Sequence, residues 1–169
     1  MKSTHLILVA ALVSLPSFAQ VRVEAHPDQQ ALLASDDPQL AANKQTVYDF
    51  WRYALIGRNM EMAQTLMHED YIQHNPNIAT GRAPFVAFFG SLPQNPVPDD
   101  IPGLVSLVAE GDLVTISFVR ECEDPRSEGE TYTTTWFDMF RVTDGVITEH
   151  WDYGTIGGEG NPPDCMRVQ

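Results

Sequence analysis

Between Pro38 and Leu55 the apolar side chains Leu40, Val47, Phe50, Trp51, Ala54 and Leu55 recur at helical spacing. The pattern predicts an amphipathic helix with one buried stripe. Asp37 followed by Pro38 supplies an N-cap and a proline at the first helical position, and Gly57 ends the run. Asn59 opens a second helix whose apolar set is Met60, Ala63, Leu66 and Met67. "HEDYIQHNPN" then reads as a turn closed by Asn75-Pro76, and a third helix near Ala83 to Ser91 carries Phe85, Val86, Phe88 and Phe89. The proline-rich "LPQNPVPDDIPG" breaks regular structure.

From Leu104 the period changes to two. "LVSLVAE", "LVTISFVREC", "TYTTTWFDMFRV" and "VITEHWD", separated by turn residues, predict four antiparallel strands in a meander. Helices first and strands afterwards give an α+β domain over residues 37–153, one sheet wrapping round the helices. Residues 20–36 read as a polar linker or N-terminal arm, and 154–169 as a C-terminal tail.

The first nineteen residues stand apart. Lys2 gives a positive start, Leu6 to Leu15 form an apolar run too short to span a bilayer, and Ser17 and Ala19 are small residues before a cleavage point. The expectation is a signal peptide, a mature chain starting at Gln20, and a periplasmic or extracellular location. In an oxidising compartment Cys122 and Cys165, the only cysteines, are expected to form a disulfide worth about 3 to 4 kcal/mol by loop closure. A formal charge of −13 leaves no electrostatic case for nucleic acid or an anionic membrane surface. No GxSxG, GxGxxG or P-loop pattern is present, and neither cysteine belongs to a CxxC.

Candidate chemistry centres on Asp138. In the strand it shares a face with Trp136, Phe140 and Val142, where a hydrocarbon is the ordinary choice. A carboxyl group there loses hydration, and an acid so placed is a candidate proton donor or acceptor. The alternative is an aspartate that pairs with Arg141 or Arg120 or hydrogen-bonds a loop. Its partner depends on the turn. A two-residue Asp144-Gly145 loop sets Asp138 opposite Trp151 with Glu149 inward, whereas a three-residue loop pairs Val142 with Val146 and sets Asp138 opposite His150. The second register points Glu149 outward and gives the carboxyl group a partner, and is the one adopted. His74 is the third catalytic candidate. Asp152 is a candidate second carboxylate, but at a strand end it reads rather as a capping or pairing residue. His74, His150, Asp138 and Asp152 are also the residue types of a metal site, although their spacing matches no motif.

"YIQHNP" after two helices, "FVAFF" on the next, then "EGDLV" and "FDMFRVTDGVITEHWD" together resemble the SnoaL-like branch of the NTF2-like superfamily. These are cone-shaped α+β barrels that include polyketide cyclases and ketosteroid isomerase. The resemblance spans about residues 38–153. It implies an apolar pocket at the open end of the cone, no cofactor and no metal, and a homodimer formed through the outer sheet face. Asp138 matches the strand position of the aspartate held in the oxyanion site of ketosteroid isomerase. Asn75 stands where that enzyme has its shuttling base, a departure from the isomerase pattern. Tyr48, Trp51, Phe85, Phe89, Trp136 and Phe140 are expected to line the pocket. The functional expectation is an exported acid/base enzyme of the isomerase, cyclase or lyase type, acting on a small apolar carbonyl or cyclic compound. The alternative is a non-catalytic binding module for such a ligand.

Overall fold

The computed structural model describes residues 20–156 and the backbone of residues 165–167. The expected leader, residues 1–19, lies outside the described residues. Helix α2 (Pro38–Asp49) starts where the sequence placed it, with the Asp37 carboxylate accepting from Gln39 N–H at 2.8 Å. The helix does not stay α to Gly57. Phe50–Ile56 forms a π-helical segment, in which Gly57 N–H reaches back five residues to Arg52 C=O at 2.9 Å. The wider turn presents Phe50, Trp51 and Leu55 together toward the interior cavity. Helix α3 (Met60–Leu66) is capped by the Asn59 side chain, and α4 (Arg82–Gly90) follows a loop.

The meander is as read from the period-two pattern: β2 (Leu104–Glu110), β3 (Leu113–Glu123), β4 (Thr131–Thr143) and β5 (Val146–Trp151) pair antiparallel in sequence order. Two expectations are corrected. Residues 67–73 are not part of a turn: Met67–Gln73 forms strand β1, which adds to the sheet edge parallel to β5, with Gln73 beside His150. Nor are residues 20–36 a loose linker. They contain a short helix α1 (Gln29–Leu33), and the Gln29 side-chain amide clasps Ile101 through both backbone groups, at 2.7 and 2.8 Å. The Gln20 amide bonds the Thr133 backbone in the same manner. Strand β6 (Cys165–Arg167) pairs with β3 so that the backbone of Cys165 lies opposite that of Cys122.

The helices and the inner sheet face enclose one apolar core that includes Val47, Phe50, Phe85, Leu104, Ile116, Phe140 and Ile147. Phe50 makes ring contacts to Phe85 and Phe140 at 5.5 and 5.6 Å, joining helix, helix and strand.

The β4–β5 hairpin follows neither of the two simple registers. Asp144 and Gly145, with φ of 52° and 80°, make a two-residue turn, and Thr143 pairs with Val146. Val142 pairs with Ile147, but Arg141 pairs with Glu149, so Thr148 is an extra residue on β5. This bulge reverses the parity of the strand. Ile147 and His150, three residues apart, are therefore both buried, and Glu149 is turned away. The adopted three-residue turn is wrong, while the side-chain arrangement it was chosen to give is present.

Candidate active site

Against the core a cavity of about 370 Å³ is lined by apolar groups from the π segment and α4 and by polar groups from β1, β4 and β5. Its polar wall is built around Asp138, 4% exposed, and His150, 8% exposed. His150 Nε2 lies 2.8 Å from Asp138 Oδ1. The register sets Phe140 directly across from His150, and Asp138 is its diagonal neighbour two residues on. The imidazole also stacks on Phe140 at 4.5 Å, which fixes the ring plane. The second carboxylate oxygen of Asp138 accepts the Trp136 indole N–H at 2.5 Å. One residue thus serves as both pocket wall and hydrogen-bond donor.

On the other side of His150, Nδ1 lies 2.9 Å from Gln73 Oε1. Gln73 Nε2 in turn donates to the Tyr71 hydroxyl at 3.1 Å. Tyr71 is 1% exposed, and burial first, then the charges of Asp138 and Asp152, push its hydroxyl well above the ordinary range, so it remains a neutral phenol.

Asp152 belongs to the same wall, and it also makes the capping and pairing contacts read for it from the sequence. Asn75 Nδ2 donates to one carboxylate oxygen at 2.7 Å and Gly154 N–H to the other at 2.8 Å. A side chain at position 154 would overlap the Asn75 amide and push it from its place against Asp152. One atom each of Asp138, His150 and Asp152 fall within 4.8 Å of one another. The signal for Asp152 was available: once His150 points inward, the residue two further along the strand does too.

Of the expected pocket residues, Trp51, Phe85, Phe89, Trp136 and Phe140 line the cavity. Tyr48 does not. It is buried among the core residues, and its hydroxyl donates to Gln29 Oε1 at 2.9 Å, where it holds α1. His74 is also corrected. It lies one residue beyond β1, 43% exposed, with Nε2 2.7 Å from Glu149 Oε1 and its ring stacked on Trp151 at 5.1 Å. Glu149 and Trp151 alternate with the inward His150, so this cluster is on the outer sheet face. Arg141 extends it, bonding Glu149 at 2.9 Å and Asp112 at 2.6 Å. The hydrogen bonds from His74 first, then Arg141, hold the Glu149 carboxyl below its usual range. Arg120, an alternative partner for Asp138 on the sequence, lines the cavity 2% exposed with its guanidinium 4.0 Å over the Trp136 ring.

No helix among the described residues is long and apolar enough to cross a membrane. No curated protein matches the chain by sequence. Solved structures of similar shape include an LEH-like epoxide hydrolase from M. tuberculosis, at 14% identity and TM-score 0.49, covering 71% of this chain and 87% of that one. An NTF2-like protein of unknown function from Burkholderia pseudomallei K96243 aligns at 14% identity and TM-score 0.48, over 69% and 92% of the two chains. A protein assigned as a SnoaL-like polyketide cyclase from Jannaschia sp. CCS1 aligns at 17% identity and TM-score 0.46, over 69% and 88%. The profile of the SnoaL-like domain matches residues 47–150, more than half of the sequence, and the chain belongs to that family.

Proposed function

We propose that the protein is an acid/base enzyme that moves a proton next to the carbonyl of a small, largely apolar, cyclic substrate. The observation that carries this reading is the placement of two distinct proton-handling groups on one wall of an apolar cavity: the His150–Asp138 pair and, within 4.8 Å, the Asp152 carboxylate. Asp152 is held in place by two N–H donors, which positions its carboxylate to take a proton from the carbon beside the carbonyl. The C–H electron pair becomes the enolate double bond, and the carbonyl oxygen, gaining charge, takes the proton shared by His150 and Asp138. Return of a proton to a different carbon gives an isomerase, and attack of the enolate on a second carbonyl gives a cyclase or aldol-type lyase. The reaction as written needs no cofactor. Relative to the catalytic set first read from the sequence, Asp152 takes the place of His74.

The same reading includes export with cleavage before Gln20, a Cys122–Cys165 disulfide and a homodimer. The β3–β6 register supports the disulfide, and Val108 and Phe137, 61% and 54% exposed, are apolar side chains suited to an interface. The test of function is hydrogen exchange: small cyclic ketones incubated with the protein in deuterated water and followed by NMR. Protein-dependent deuterium incorporation beside the carbonyl, lost in D152N, is the expected result. Saturable binding of such ketones without any exchange would overturn the enzymatic reading and leave a ligand carrier.

A further inference from the structure

The donors and acceptors around His150 can be assigned without seeing hydrogens. Asn75 backbone N–H donates to Gln73 Oε1 at 3.0 Å, and because a backbone N–H meets only an acceptor, that atom is the amide oxygen. His150 Nδ1 faces the same oxygen at 2.9 Å, so Nδ1 carries a hydrogen. Nε2 then faces Asp138 Oδ1 at 2.8 Å. A bare ring lone pair against a carboxylate oxygen at that distance is repulsive, so a positive centre lies between them. A proton meets the requirement, and so does a metal ion.

Asp152 supplies a third donor atom, within 4.8 Å of the other two. Each of the three side chains is held by a group outside the cluster: His150 by Gln73, Asp138 by the Trp136 indole, and Asp152 by Asn75 and Gly154 N–H. Metal-ligating histidines and carboxylates are held in this way, with the second ring nitrogen bonded to an oxygen acceptor. Neighbouring ligands on an ion with bonds of about 2.1 Å lie about 3.0 Å apart at octahedral angles and about 3.4 Å at tetrahedral ones, so the His150–Asp138 gap of 2.8 Å opens by a few tenths of an ångström to admit the ion. Two carboxylates also match the charge of a divalent ion.

We propose that His150 Nε2, Asp138 and Asp152 form a binding site for one divalent first-row transition-metal ion, with its remaining coordination positions open to the cavity. One imidazole with two carboxylates favours ions such as Mn²⁺, Co²⁺ or Zn²⁺ over Mg²⁺ and Ca²⁺, which take all-oxygen sites. Ion and shared proton occupy the same gap and exclude each other, so the loaded protein lacks the acid that proton transfer uses. The site stands independently of the proposed reaction, because its test reads the ion and no turnover.

Chelator-treated protein would be titrated with Co²⁺, followed by visible absorption and equilibrium dialysis. The expected result is one ion per chain, displaced by Zn²⁺, with affinity reduced at least tenfold in both H150Q and D152N and unchanged in H74Q. The last variant removes the other histidine–carboxylate pair and so separates the inner site from the outer one. Circular dichroism checks that each variant is folded, and D152N, at the less buried position, carries the test if H150Q is not. Absence of binding at 1 mM Co²⁺ overturns the proposal, as does binding that survives in folded D152N or that H74Q abolishes.

Discussion

Two histidine–carboxylate pairs lie on opposite faces of the same strands. His150 and Asp138 meet at 2.8 Å on the inner face, His74 and Glu149 at 2.7 Å on the outer. By distance they are indistinguishable. What separates them is their surroundings: the inner side chains are 10% and 5% exposed, walled by aromatic rings, whereas the outer histidine is 43% exposed with an arginine beside its carboxylate. Water screens the outer pair and leaves it worth little, while the inner pair keeps its full electrostatic strength and faces a cavity. A contact of given length therefore says nothing about chemistry until its environment is known.

Removing the imidazole of the inner pair is the most severe way to break this contrast. H150A leaves the buried Asp138 carboxylate without the ring nitrogen at 2.8 Å. The cost is expected to be about 3–5 kcal/mol, the scale for an uncompensated buried charge, read as a large drop in the urea midpoint. A variant as stable as the parent would show that the buried pair is worth no more than the outer one.

Substituting D138N keeps the shape of the inner pair but removes its shared proton. Exchange activity should fall about 10² to 10⁴-fold with ketone binding retained. Equal activity would exclude Asp138 from the chemistry. N75A loosens Asp152 without touching the pair, and a fall of about 10-fold to 10²-fold in kcat with KM little changed is expected.

At the outer pair, H74Q should change stability by no more than about 1 kcal/mol and leave exchange intact. The Glu149 carboxyl is held below its ordinary range in the folded protein, so the stability it contributes is present above about pH 5 and is lost as pH falls through its folded value. Thermal midpoints of the parent and E149Q should therefore differ at pH 7 and converge toward pH 3. A gap that widens on acidification would contradict the assignment.

The meander, the helix starts at Asp37 and Asn59 and the inward face of β4 were legible because period and caps are local properties of the chain. Strand β1 was not. "MHEDYIQ" buries only Met67 and Tyr71, four residues apart, a spacing that mimics a helix, and its partner β5 lies some eighty positions away. The N-terminal arm was equally hidden, since Gln20 and Gln29 are polar residues whose bonds go to the distant Thr133 and Ile101. At the site, aromatic neighbours gave away Asp138. The bulge left no mark, because "VITEHW" has no glycine or proline to signal an inserted residue. His74 was misplaced for want of β1: only that strand's register shows which side of the sheet its end faces.

The Trp136 indole has its N–H tied to Asp138, a guanidinium over one part of its ring and the Tyr153 ring 3.9 Å away. An indole so placed is an optical reporter wired to the carboxylate. In a W51F/W151F background its emission alone remains, and any ligand that enters the cavity or any change in the charge of Asp138 alters the field along its N–H bond. Screening can therefore proceed by fluorescence, before a substrate is known and without a label.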